Sequence, residues 1–261
     1  MKIISVILSL IFVLSCNNQQ SNQSKKSIFV SIVPQKYFIE RITGENFNVH
    51  IMVMPGHNPA TFEPTPRKMS ELKEARLYFR IGVPFEKTWI KKIAESNPEM
   101  KIVDTRKGIE LREMDSFYEL FERIEQENHN EIELKEKQQD KMKDPHIWLS
   151  PELVKTQAET ICDALVEFDE NNEVIYRENL KKFKADLNQV HEEIKTIFEH
   201  LENREFLVFH PAWGYFADEF GLKQIPIEIE GKSPTAKELS RIIDFAKNKS
   251  IKVIFVQSQF S

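Results

Sequence analysis

Apolar positions along the chain follow two rhythms. Short apolar or alternating runs at residues 28–33, 47–53, 77–81 and 102–103 predict strands. Helical spacing between them predicts helices near 37–42, 66–75 and 85–95. Alternation of this kind predicts parallel βα units. Further on, an amphipathic pattern predicts a helix over 153–168. Then Tyr176, Leu180, Phe183, Leu187, Val190, Ile194, Ile197 and Leu201 recur at steps of four and three. That heptad seam predicts one helix over 172–201, on the order of 45 Å long. Strand signals resume at 206–210, 223–228 and 251–256, with helices from Pro211 toward Phe220 and over 236–248. A long helix followed at once by βα signals is expected to be a spine between two lobes of one monomer, rather than half of a coiled-coil dimer. The expected fold is α/β, with two βα lobes built on parallel sheets and joined by a long rigid spine helix.

Two segments lack either rhythm. Across residues 105–143 the pattern decays, with highly charged runs from Glu122 to Glu131 and from Lys135 to Lys143, and the segment reads as a solvated or disordered loop. His129 lies inside it, and one histidine does not make a metal-binding tract. At the other segment, Lys2 precedes an apolar stretch at residues 3–13 that is too short to span a bilayer. Val13-Leu14-Ser15-Cys16 follows and resembles the lipobox of bacterial lipoproteins, with Cys16 as the lipid attachment point. Residues 1–16 are therefore expected to be a lipoprotein signal peptide and residues 17–26 a polar, flexible tether. The remaining boundaries are a first lobe at 27–150 containing the loop 105–143, a helical region at 151–203, and a second lobe at 204–261.

Composition narrows the function. Net charge is −5 over 261 residues, with both signs interspersed. There is no basic stripe or recognition motif for nucleic acid, and no Gly-rich phosphate loop. Beyond Cys16 only Cys162 remains, so no internal disulfide is expected. Its place between Ile161 and Leu165 predicts a buried thiol.

Candidate chemistry gathers at three rigid junctions. His57 lies in a loop from Met54 to Pro66 that holds four prolines and follows a strand, where open α/β sheets place ligands. His146 sits in Asp144-Pro145-His146-Ile147-Trp148-Leu149-Ser150-Pro151. Pro145 keeps Asp144 extended, and Ser150 is placed to cap a helix opening at Pro151. His210 ends a strand, and Pro211 follows it. Converging imidazoles favour zinc, whereas a carboxylate-rich set would favour manganese or magnesium. Asp144 is placed to orient His146 without itself binding metal. His191 and His200, on the charged spine helix, are expected to face solvent.

Pro55-Gly56-His57-Asn58-Pro59, Asp144-Pro145-His146-Ile147-Trp148-Leu149, His210-Pro211-Ala212-Trp213-Gly214-Tyr215-Phe216 and Glu230-Gly231-Lys232 occur in this order. Together they resemble the solute-binding lipoproteins of zinc and manganese ABC importers, from about Ser27 onward. The resemblance implies capture of a divalent metal, zinc ahead of manganese, in a cleft between lobes. It implies delivery to an ABC importer permease, and an extracytoplasmic protein held to a bacterial membrane by its N-terminal lipid and acting as a monomer. His57 and His146 would come from the first lobe and His210 from the second.

Such relatives continue past Phe260 with a helix, a strand bearing an aspartate ligand and a closing helix. A second lobe without its last strand and helix is therefore expected. The site would be three histidines and a water, or the chain a truncated product with weakened metal binding. A surface adhesin or structural lipoprotein is the alternative of a different class. A zinc hydrolase is disfavoured, since no carboxylate accompanies the histidines at a spacing such as H-E-x-x-H.

Overall fold

The computed structural model describes residues 25–116, 142–228 and 232–257. Cys16 with its signal segment, most of the tether, most of the charged loop including His129, and Glu230 and Gly231 lie outside the described residues.

The first sheet holds β1 (Lys26–Val30), β2 (Phe47–Ile51), β3 (Ala75–Arg80) and β4 (Lys101–Asp104) in the order β2-β1-β3-β4, all parallel. Its crossovers carry α1 (Val33–Thr43), α2 (Pro66–Glu71) with a 3-10 turn at Leu72–Glu74, and α3 (Pro84–Ser96). Successive strand residues point to opposite faces. Ile28, Val30, Leu77 and Phe79 accordingly pack with Phe38, Ile39 and Ile42 of α1, while Phe29 and Tyr78 pack with Phe85 and Ile93 of α3. Both faces are covered, which is why these strands read as near-continuous apolar runs. The strand expected at 28–33 stops at Val30, because Pro34 already occupies the first turn of α1, a place that suits its fixed φ and missing N–H.

Two long helices follow. Ser150 caps α4 (Pro151–Phe168), its Oγ accepting the Leu153 N–H at 3.1 Å. Next comes α5 (Glu173–Phe198). Tyr176, Leu180 and Phe183 are buried against the first sheet's core, together with Ile161, Cys162 and Leu165 of α4. Cys162 is a fully buried free thiol. The later seam positions are different: Val190 is exposed, and Ile197 is 71% exposed. The start of α4 reaches only as far along α5 as Asn188 and His191, so the seam outruns that partner. At its end, Phe198 meets Phe216 and Phe220 of the second lobe, at ring distances of 6.0 and 6.1 Å.

The second sheet holds β5 (Glu205–Val208), β6 (Lys223–Pro226) and β7 (Ile254–Phe255), parallel and in the order β6-β5-β7. Between β5 and β6 runs α6 (Gly214–Phe220), closed by Gly221 in the left-handed region. Before β7 runs α7 (Ala236–Asn248), opened by a reciprocal Thr235–Glu238 capping box. The core here is smaller: Leu207, Ile225, Ile227, Ile242 and Phe245. Val253, Ile254, Phe255 and Val256 remain exposed along β7. Among the described residues no helix is long and apolar enough to cross a membrane.

Candidate metal centre

His146 is fixed from three sides. Pro145 directs the chain out of an extended approach, and a 3-10 turn at Ile147–Leu149 follows directly. Asp144, fully buried, accepts from the His146 backbone N–H at 2.9 Å and faces the His146 ring through Nδ1 at 2.7 Å. Trp148 packs on the same ring at 5.0 Å between centroids. A carboxylate at Nδ1 selects the tautomer that carries its proton there, leaving a lone pair on Nε2. Burial holds the His146 pKa below the ordinary imidazole value, with the nearby His210 acting in the same direction and Asp144 opposing them.

His210 repeats this design from the other lobe. It lies two residues past the end of β5, where the Phe209 N–H still pairs with the Phe255 carbonyl at 2.9 Å. Its Nδ1 faces Glu228 Oε1 at 2.6 Å. The spacing of sequence motifs did not single out Glu228. Its signal was positional, a carboxylate just beyond a neighbouring parallel strand.

The two rings meet edge to face, and their Nε2 atoms stand 3.3 Å apart. Bonds of about 2.0–2.1 Å at tetrahedral angles place two zinc-bound nitrogens ~3.3–3.4 Å from each other. Paired Nε2 lone pairs at this separation, each backed by a carboxylate, are suited to hold one such cation.

His57 stands apart. Its ring nitrogens do not join His146 and His210 in a set within 4.8 Å of one another. The residue is exposed on its loop, in a turn where its N–H reaches the Met54 carbonyl at 3.1 Å. Phe62 lies edge-on to His57 and to Phe85 at the start of α3, and the Phe85 N–H holds the Pro59 carbonyl at 3.1 Å. The loop is thus seated on α3 with its histidine turned to solvent.

A polar knot ties the lobes together beside the pair. The Tyr215 hydroxyl donates to the Asp144 carbonyl at 2.9 Å and accepts the Arg112 N–H at 3.1 Å. Burial pushes that hydroxyl pKa up to about 12, so it remains a donor at neutral pH. The Arg112 side chain reaches Asp115 at 3.1 Å, Asp144 Oδ2 at 3.4 Å and Asp218 of α6 at 2.8 Å. Asp115 also accepts from Gln224 of β6 at 2.7 Å.

His191 does not face open solvent as its charged helix suggested. Its side chain is 20% exposed, and its Nδ1 sits 2.6 Å from Glu219 of α6. The charge pattern of α5 described that helix alone, and α6 arrives from elsewhere in the chain.

A family model described as ZnuA, zinc-uptake complex component A, periplasmic, matches residues 28–261. The chain belongs to this family. The high-affinity zinc uptake system protein ZnuA of Bacillus subtilis (strain 168) is 28% identical over 257 residues, covering 95% of this chain and 77% of its own. A putative metal-binding protein of Chlamydia trachomatis serovar D is 30% identical over 215 residues, 82% of this chain and 69% of its own. The fold matches a crystal structure of ZnuA with a TM-score of 0.78 at 40% identity, over 90% of this chain and 83% of that one. ZnuA-family proteins are periplasmic solute-binding proteins, and this chain shares their mixed α/β architecture with parallel sheets and a long helix.

Proposed function

We propose that this ZnuA-family chain captures a zinc ion outside the cytoplasm and passes it to the permease of an ABC importer. The observation that carries the reading is the 3.3 Å separation of the His146 and His210 Nε2 atoms, one from each lobe. Asp144 and Glu228 hold the two rings in the tautomer that a metal requires. In this reading His57, exposed on its loop, is the third imidazole. Imidazole donors favour zinc over manganese, which prefers oxygen ligands. In this reading Cys16 carries a lipid that anchors the protein to the membrane, and the chain works as a monomer that binds without catalysing a reaction.

The test is calorimetric titration of metal-free protein, starting at Asn17, with zinc and with manganese, repeated on His210→Ala. Zinc uptake that is lost or sharply weakened in the variant, with manganese much weaker throughout, is the expected result. A folded wild type that takes up no zinc, or a His210→Ala protein that binds it undiminished, would overturn the reading.

A further inference from the structure

A second set of ligand-type side chains lies where α4, α5 and α6 meet. Glu152 is in the first turn of α4, His191 is on the later part of α5, and Glu219 is near the end of α6. One ligand atom from each lies within 4.8 Å of the others. Both carboxylates converge on one nitrogen: His191 Nδ1 is 2.6 Å from Glu219 Oε1 and 3.8 Å from Glu152 Oε1. A single Nδ1–H can serve only one of them well. Two carboxylate oxygens and one imidazole nitrogen within 4.8 Å of one another make a donor set for a divalent cation once the Nδ1 proton is displaced.

The surroundings support this. Ser150 Oγ donates to the other oxygen of Glu219, orienting the carboxylate from behind. Phe220 packs on the His191 ring at 5.2 Å. Glu219 is 8% exposed and His191 20%, while Glu152 is half exposed, which leaves a route for an ion and a place for water. Glu192 adds negative charge, 4.0 Å from His191 Nε2. Lys155 holds Glu152 Oε1 at 2.5 Å, but it also has Asn188 Oδ1 at 2.7 Å and can give up the carboxylate.

We propose that Glu152, His191 and Glu219 form a second zinc site, separate from the His146–His210 pair, that pins α6 of the second lobe to α4 and α5. Such a site takes one zinc, with water completing its shell.

The test is zinc stoichiometry by calorimetry on the full chain in four forms: wild type, His210→Ala, His191→Asn and Glu152→Gln. Two equivalents are expected in the wild type, one in His210→Ala and one in His191→Asn. Glu152→Gln, which keeps the His191–Glu219 contact, should weaken only the second equivalent, by at least about tenfold. Zinc should also raise the melting temperature of a His57→Ala/His146→Ala/His210→Ala protein. If the wild type binds a single equivalent that survives His191→Asn, the second site does not exist. A single equivalent that survives His210→Ala but is lost in His191→Asn would sink the histidine-pair reading and leave this one standing.

Discussion

Gly214 and Arg112 exclude one another's bulk. A Cβ on Gly214 would lie 1.7 Å from Arg112 Nη1 and 2.8 Å from Asp144 Oδ2. The glycine lets the guanidinium pass between lobes to reach Asp218 while staying beside the carboxylate that orients His146. Gly214→Ala should therefore displace Arg112. The expected cost is about 1–3 kcal/mol of stability, as for overpacking elsewhere. Zinc affinity should fall with it. Urea unfolding and zinc titration of the same variant check both.

Asp144→Asn keeps the side chain's shape but removes the charge that favours the Nδ1–H tautomer of His146. Zinc affinity is expected to drop about 10–100-fold, the range for loss of a carboxylate behind a metal-bound histidine. Calorimetry measures the drop. An unchanged affinity would mean that Pro145 and Trp148 alone hold the ring.

Burial lowers the His146 pKa below its ordinary value of 6.5. As pH falls through 6.5 the unfolded chain takes up that proton first, so metal-free protein loses stability until the folded-state value is passed. His50, stacked on Phe29 at 4.9 Å, is lowered by burial as well and adds in the same direction. Urea unfolding at pH 7.5 and pH 5.5 should show the loss, reduced in His146→Gln. Nitrogen NMR should find the His146 ring less protonated than an ordinary imidazole at the same pH.

The seam on α5 makes an unequal pair of predictions. Phe183 is 1% exposed within the core, and Phe183→Ala should destabilise by about 3–5 kcal/mol. Ile197, in the same heptad pattern, is 71% exposed, and Ile197→Ala should stay within about 0.5 kcal/mol. Denaturant midpoints of the two variants decide.

That contrast also separates what the sequence reveals from what it hides. Apolar period and proline placement were enough to locate the strands, the helices and the Ser150 cap, because those features act within a few residues. The helix expected from Pro211 nonetheless begins at Gly214, and the strand expected at 251–256 narrows to Ile254–Phe255. The seam exposed the existence of α5 but not where its packing ends, since that depends on how far α4 runs beside it. The same limit holds at the site. His146 and His210 stand at proline-marked junctions that the sequence singles out, whereas Glu228 meets His210 from a neighbouring strand and Arg112, Tyr215 and Asp218 act across the interface between lobes. Glu219, likewise, reaches His191 only because α6 folds back onto α5.

Each half of the His146–His210 pair is complete within its own lobe. Asp144 belongs to the same turn as His146, and Glu228 to the same sheet as His210. Parting the lobes would separate the two imidazoles without disturbing either carboxylate contact. What must break instead are links made between the lobes: Tyr215 with Asp144 and Arg112, Arg112 with Asp218, Gln224 with Asp115, and Glu219 with Ser150 and His191. If the two imidazoles hold an ion as proposed, parting the lobes would release it by leverage, with each ring still aligned by its own carboxylate.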